Sequence, residues 1–220
     1  MTIGDHPKYL ALGYLINQNI IEDLKKVTSI EVEEDISTVV VRTLEKTKYE
    51  IKENKKIKTS GCANGSIFED VIEQFDKQKI ESSSKVSSEE IFKLYKEINS
   101  FPSLYLKSGA IHGCLLCSFE EPLVFFEDVG RHNAIDKLAG YMALNKIKPK
   151  DKILYTTGRL TSEMVIKTVL MRIPILASRS GFTAWGVELA RKSNLTMIGR
   201  LRGKRYQLLS GEKRIKKIVK

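Results

Sequence analysis

No run of about 18 apolar residues occurs in this 220-residue sequence, so no segment reads as a membrane-crossing helix. The opening stretch, MTIGDHPKYL, has no basic segment leading into an apolar one, which argues against a secretory signal. Cysteine is scarce. Cys62, Cys114 and Cys117 are the only three, an odd number that disfavours a disulfide scaffold and points to a reducing, cytoplasmic setting. Neither GxxxxGK[ST] nor GxGxxG occurs, so P-loop hydrolysis and Rossmann-type dinucleotide chemistry have no support. The HxE and PCxxC elements of zinc deaminases are missing as well. No fixed-period repeat and no low-complexity tract is present.

What is there reads as a soluble globular chain, with 42% hydrophobic and 29% charged residues. The net charge of +10 is unevenly placed. Residues 151–220 hold 16 Lys/Arg against 4 Asp/Glu, while the first 150 residues hold 21 against 23. A basic C-terminal third implies an anionic partner. The terminal EKRIKKIVK reads as a solvated tail.

The pattern changes along the chain. DHPKYLALGYLINQNII reads as a helix with Asp5 as cap and Pro7 in its first turn. TSIEVEEDISTVVVRTL and KYEIKEN alternate like strands, and TSGCANGS and a short helix, SIFEDVIEQF, follow. ESSSKVSS marks a boundary between an N-terminal α+β lobe, residues 1–85, and a core, residues 86–220. Ser87 and Glu90 form a capping box for the helix SEEIFKLYKEI. Beyond it, LYLKSGAIHGCLLCSFE and PLVFFEDV read as a hairpin. Strand–turn–helix units then recur, and LTMIGRLR and YQLLS close the chain around RGKR. The expected class is an α/β layer with crossover helices.

Three strand-to-helix turns share one design: EDVGRHNA, TTGRLTSE and SRSGFTAW. Each brings a glycine, an arginine and small polar side chains to a helix start, where free N–H groups and the helix dipole favour phosphate. Gly130, Arg131 and His132 come from the first turn, Gly158 and Arg159 from the second, Arg179 and Ser180 from the third. Arg200, Arg202, Lys204 and Arg205 add charge at the last strand end. The ligand expected there is a nucleotide or a pyrophosphate-bearing cofactor, with Phe182 and Trp185 as candidates to stack on a ring. Glu127 and Asp128 are expected to pair locally with Arg131, and His132 to act as a local donor. Nucleic acid is a poorer fit, because the arginines lie at strand ends rather than along one exposed helix.

The spacing of Cys114 and Cys117 suits redox dithiols and zinc sites, but HGCLLC reads as a strand. Residues three apart in a strand point to opposite faces with Cα atoms roughly 10 Å apart. A disulfide needs less than about 7 Å. Both cysteines are therefore expected in the core. A zinc site of Cys62, His112, Cys114 and Cys117 is a remaining alternative. Cys62 has the opposite setting, among small residues and downstream of Lys55, Lys56 and Lys58, as an accessible and activated thiol requires.

EDVGRHNAIDKLAG, GRLTSEMVIK and LARKSNLTMIGRLRGKR resemble, almost word for word, motifs of the formate dehydrogenase accessory sulfurtransferases of the FdhD type. ALGYLINQNII, SGCANG and SGAIHG match weaker stretches of that family in the same order. The resemblance implies a cytidine-deaminase-like α/β core without the deaminase zinc, and a homodimer. It implies that sulfur is taken as a persulfide from a cysteine desulfurase. That sulfur passes to the molybdenum (or tungsten) bis-molybdopterin guanine dinucleotide cofactor, a bound substrate, before the cofactor enters formate dehydrogenase. The family's persulfide cysteine, the first of a TGCGxCG loop, falls on Cys62. Its cofactor-binding stretch falls on Arg200, Leu201, Arg202, Gly203, Lys204 and Arg205, and its histidine on His112. Two departures stand out: Gly65 replaces the loop's second cysteine, and the chain begins at the family's first helix. A chaperone that binds the molybdenum cofactor without sulfur chemistry is the other reading.

Overall fold

A computed structural model describes residues 1–47, 50, 56–58, 66–104, 108 and 110–216, with the backbone alone for 56–58 and 66–69. Its centre is a six-stranded mixed sheet. The strands in it are β5 (His112–Cys117), β6 (Pro122–Asp128), β7 (Ile153–Thr156), β8 (Ile175–Ser178), β9 (Thr196–Arg202) and β10 (Arg205–Ser210). Their order is β10-β9-β8-β7-β5-β6. β5 is antiparallel to both β6 and β7, β7 to β9 are mutually parallel, and β10 turns back on β9. β6, β7, β8 and β9 therefore point the same way. Their C-terminal ends share one sheet edge with the starts of β5 and β10.

Both faces of the sheet are apolar, as expected for strands covered on both sides. One face carries Cys114, Leu116, Leu154, Leu176 and Met197 beneath a helix layer. That layer comprises α1 (Pro7–Asn17), α2 (Glu69–Lys77), α4 (Arg131–Leu144), α5 (Ser162–Leu170) and α6 (Ala184–Lys192). The other face carries Leu115, Cys117, Ile153, Tyr155, Ile175, Ala177 and Ile198 against α3 (Ser88–Ile98). α3 opens with the expected capping box: Ser87 Oγ accepts from Glu90 N, and Glu90 Oε2 accepts from Ser87 N. The expected α/β layering is thus present, with a mixed sheet.

Two antiparallel pairs lie outside this sheet, β1 (Val27–Glu33) with β2 (Thr38–Thr43) and β3 (Lys56–Lys58) with β4 (Ser66–Phe68). Lys58 pairs with Ser66 and closes the connection 59–65 that holds Cys62. That connection, most of KYEIKEN and the last four residues lie outside the described residues. No helix among the described residues is long and apolar enough to cross a membrane.

α1 and α4 cross with their backbones in contact. A Cβ at Gly13 would stand 1.7 Å from the Asp136 carbonyl oxygen, and one at Gly140 would stand 2.0 Å from that of Tyr9. The crossing carries a buried polar group. Asp136 accepts from Lys167 Nζ at 2.8 Å and from Asn17 Nδ2 at 2.6 Å. Asp5 does not cap α1: His6 holds that position in a left-handed conformation, and Asp5 pairs with Lys137.

The terminal tail is not wholly solvated. Arg214 is 4% exposed and donates to the carbonyls of Ser82 (2.9 Å), Asn194 (2.6 Å) and Ile80 (2.9 Å), while Ile215 bridges Val86. The reason is composition: the carbonyls of two loops converge there, and a long cation with a forked head satisfies several at once. Arg214→Met is expected to remove a donor from each of these carbonyls, that of Ile80 keeping Asn194 Nδ2 at 2.7 Å, and to cost about 3 kcal/mol in urea unfolding.

Candidate functional site

The shared sheet edge gathers the turns singled out from the sequence. β6 ends at Asp128 and α4 starts at Arg131; β7 ends at Thr156 and α5 starts at Ser162; β8 ends at Ser178 and α6 starts at Ala184. His112 begins β5 at the same edge, paired with Asp128, and the β9–β10 turn contributes Arg202 to Arg205.

Hydrogen bonds stitch these turns together. Thr156 Oγ1 accepts from Gly158 N at 3.1 Å and donates to Gly113 O at 3.1 Å. Thr157 Oγ1 accepts from Gly113 N at 2.9 Å. Ser178 Oγ donates to Gly158 O at 2.6 Å and accepts from Ser180 N at 2.9 Å. Ser180 Oγ donates to Thr157 O at 2.9 Å, and its carbonyl accepts from Arg200 N at 3.0 Å. Ser180 thus welds two turns to β9.

The glycines differ in role. At Gly158 a Cβ would stand 3.1 Å from both Cβ and Cδ of Arg131, so the absent side chain lets that arginine lie across the turn. At Gly130 a Cβ would make only ordinary contacts. Gly203 supplies the positive φ of 57° in the β9–β10 turn.

The electrostatics of His112 record where the cations are. Burial lowers its pKa first, and the charges of Arg131, His132, Arg159 and Arg179 lower it further. Residues from three turns therefore act on one point at the sheet edge. Cations brought in from several turns suit an anion with more than one charged oxygen. Arg131 is 4% exposed, whereas Arg159, Arg200, Arg202, Lys204 and Arg205 are open to solvent. Leu201 differs from its neighbours, since its side chain lies in the α3-side core. The Arg200 guanidinium stands 5.7 Å from the centre of the Phe182 ring, while Trp185 is 36% exposed.

Sequence reasoning missed two partners. Glu163, 4% exposed in the first turn of α5, brings Oε2 to 2.7 Å from His132 Nε2. Asp128 takes the buried Lys137 at 2.6 Å. Burial raises its pKa, but hydrogen bonds from Lys137, Thr2 and Asn133 outweigh that and hold it below the usual carboxylate value. Glu127 accepts from the Ser103 hydroxyl and from Leu104 N. A lysine in a helix interior gives no sequence signal for such a pairing.

Cys114 and Cys117 fill the core, on opposite faces of the sheet. Burial pushes both thiols up to about 12. They cannot share a metal ion, which removes the zinc alternative that joined them. Iodoacetamide at pH 8 is expected to leave both unmodified in folded protein and to label them after denaturation, as peptide mass mapping would show. Cys62, the candidate sulfur carrier, lies outside the described residues.

Comparison with known proteins gives one answer. The model of the FdhD/NarQ family matches residues 1–216. The chain is similar to the sulfur carrier protein FdhD of Wolinella succinogenes, 31% identical over 93% of this chain and 72% of that protein. It is similar to the protein of the same name from Bacillus subtilis, at 28% over 96% of this chain and 81% of that one. The crystal structure of a formate dehydrogenase accessory protein from Desulfotalea psychrophila superposes with a TM-score of 0.77 and 26% identity. That match covers 98% of this chain and 82% of the other.

Proposed function

The chain belongs to the FdhD/NarQ family, and on that premise we propose that it is a sulfur carrier in formate dehydrogenase maturation. Cys62 accepts sulfur as a persulfide from a cysteine desulfurase. It passes that sulfur to the bis-molybdopterin guanine dinucleotide cofactor, which is the substrate bound at the arginine-bearing sheet edge. The observation that carries this reading is the gathering of Arg131, His132, Arg159 and Arg179, from three turns, at the one sheet edge where β6, β7 and β8 end. A cofactor with two pyrophosphates requires cations from several directions, and turns from three strands supply them. Burial first, and then that surrounding charge, lower the pKa of His112 and favour its neutral, hydrogen-bonding form.

Chain topology supports placing Cys62 with this edge. The C-terminal end of α2 lies beside the C-terminal end of α6, where Lys192 Nζ meets Asp76 at 2.7 Å and Ile80 N donates to Ser193 O at 2.9 Å. That is the edge opposite the arginine turns. β4 leads directly into the other, N-terminal end of that helix. A homodimer and a cytoplasmic setting complete the proposal.

The site reading is tested by calorimetric titration with GDP. Binding is expected, and Arg159→Ala or Arg200→Ala should each weaken it by about tenfold or more through loss of a charge-assisted contact. Absence of binding, or affinities untouched by either change, would contradict the reading.

A further inference from the structure

The sheet edge opposite the arginine turns carries a second concentration of cations. A cleft of about 530 Å³ opens there between the segment that follows α2 and the loop that leads into β7. Lys77, Lys79, Lys150 and Arg172 line it, and among the described residues Glu81 is the only carboxylate in the lining. The other acids at hand are engaged: Asp76 pairs with Lys192 at 2.7 Å and Asp151 with Lys152 at 2.6 Å. All four lining cations are exposed, and none has an ion-pair partner among the described residues.

The walls of the cleft are held in place. Ser82 Oγ donates to Lys150 O at 2.8 Å and joins the two sides. From behind, Arg214 Nη2 and Asn194 Nδ2 both donate to Ile80 O, and Arg214 Nε donates to Ser82 O. Arg172 and the neighbouring Lys146 stand where glycine is the usual residue. α4 and α5 each end in a turn that sends the chain back to the core: Ile147 N donates to Met142 O at 2.9 Å, and Ile173 N to Thr168 O at 3.2 Å. The residue before each isoleucine is left-handed, Lys146 at φ 53° and Arg172 at φ 58°. Any Cβ is disfavoured in that conformation, so the fold keeps long cations there against the backbone's preference. A helix C-terminus attracts a cation, which offsets part of this cost. Lys79 and Lys150 lie outside any helix, so the charge belongs to the edge and not to the helix ends alone.

We propose that this cleft docks an acidic segment of a partner protein, a stretch of chain with several carboxylates. Lysines supply three of the four charges, as mobile point charges that grip carboxylates along a chain without demanding a planar, bidentate geometry. No aromatic side chain lines the cleft, so the bases of a nucleic acid would find nothing to stack on. A flat lipid surface would meet only the rim of a concavity. The cleft and the arginine turns lie at opposite ends of the parallel strands, so a partner held here leaves the anion site open and both are occupied together.

The experiment follows a short fluorescent oligoglutamate peptide by anisotropy against the wild-type chain, Lys79→Glu/Lys150→Glu and Arg159→Glu/Arg200→Glu. The wild type is expected to bind, and more weakly as salt rises. Reversal at the two lysines should weaken binding by about tenfold or more, and reversal at the two arginines by less than about twofold. Saturating pyrophosphate should leave the peptide bound. Circular dichroism melting checks that the variants fold; if the lysine reversal does not, Lys79→Gln/Lys150→Gln decides, with an expected loss of about threefold. No binding of the peptide, equal losses from the two reversals, or displacement by pyrophosphate overturns the proposal. Tighter, lysine-dependent binding of a single-stranded oligonucleotide or of phosphatidylserine vesicles overturns it as well. The expected pattern supports the proposal even if GDP and pyrophosphate fail to bind, a result that removes only the nucleotide reading.

Discussion

Cells lacking their own copy of this protein and supplied with the Cys62→Ala variant are expected to show formate dehydrogenase activity no higher than cells supplied with nothing. The expected loss is complete because no other thiol can take the role. The sequence holds only two other cysteines. Cys114 and Cys117 are buried on opposite faces of the sheet, with thiols pushed up to about 12. At neutral pH roughly one in a hundred thousand of such thiols is ionised, and the thiolate is the species that accepts sulfane sulfur. Neither has a path to a desulfurase without unfolding of the core. The doubly substituted Cys114→Ala/Cys117→Ala chain should retain activity, at a stability cost of about 1 kcal/mol per site from the small cavities left. Activity of Cys62→Ala near the wild-type level would remove the sulfur-carrier role and leave a cofactor-binding chaperone.

Asp136→Leu is expected to have the largest effect on stability. The carboxylate is 2% exposed and Lys167 is 4% exposed, at a point where α1, α4 and α5 meet. Removing the acid strands the Lys167 ammonium and the Asn17 amide among apolar neighbours. Breaking one half of a buried pair costs about 3–5 kcal/mol. For a chain of this size that corresponds to a fall of about 10 °C or more in Tm, read by circular dichroism. Asp136→Leu combined with Lys167→Met should recover most of the loss, because the cost lies in the unpaired charge rather than in the missing pair. A single substitution costing under about 1 kcal/mol would mean that Lys167 reaches water in the folded state.

How much of this was legible in the sequence follows from which signals are local. Alternation and punctuation by glycine found the strands of the core sheet, although the hairpin's first strand begins at His112 rather than at Leu104, and the Ser87–Glu90 box placed the start of α3 where it occurs. The three glycine–arginine turns were legible because strand–turn–helix order forces them to strand ends. Their meeting at one edge needed the strand directions, which no local pattern supplies. The opposite facing of Cys114 and Cys117 followed from a period of two alone. Pairings across the fold were not legible. Glu163 beside His132, Asp136 with Lys167, and Arg214 among three carbonyls join residues far apart in sequence, and a charged residue in an amphipathic helix reads as solvent-facing. Asp5 was a reasonable cap by residue type, yet Lys137 competes for it from α4.

The central claim is that sulfur travels on Cys62, and one measurement addresses it most directly. The purified chain is incubated with a cysteine desulfurase and cysteine, then digested without reductant and mapped by mass spectrometry. The account predicts a gain of about 32 Da, one sulfur atom, on the peptide containing Cys62, absent without the desulfurase and reversed by dithiothreitol. The peptide containing Cys114 and Cys117 should show none. An unmodified Cys62 under conditions where the desulfurase turns over, or a persulfide found only on Cys114 or Cys117, would contradict it.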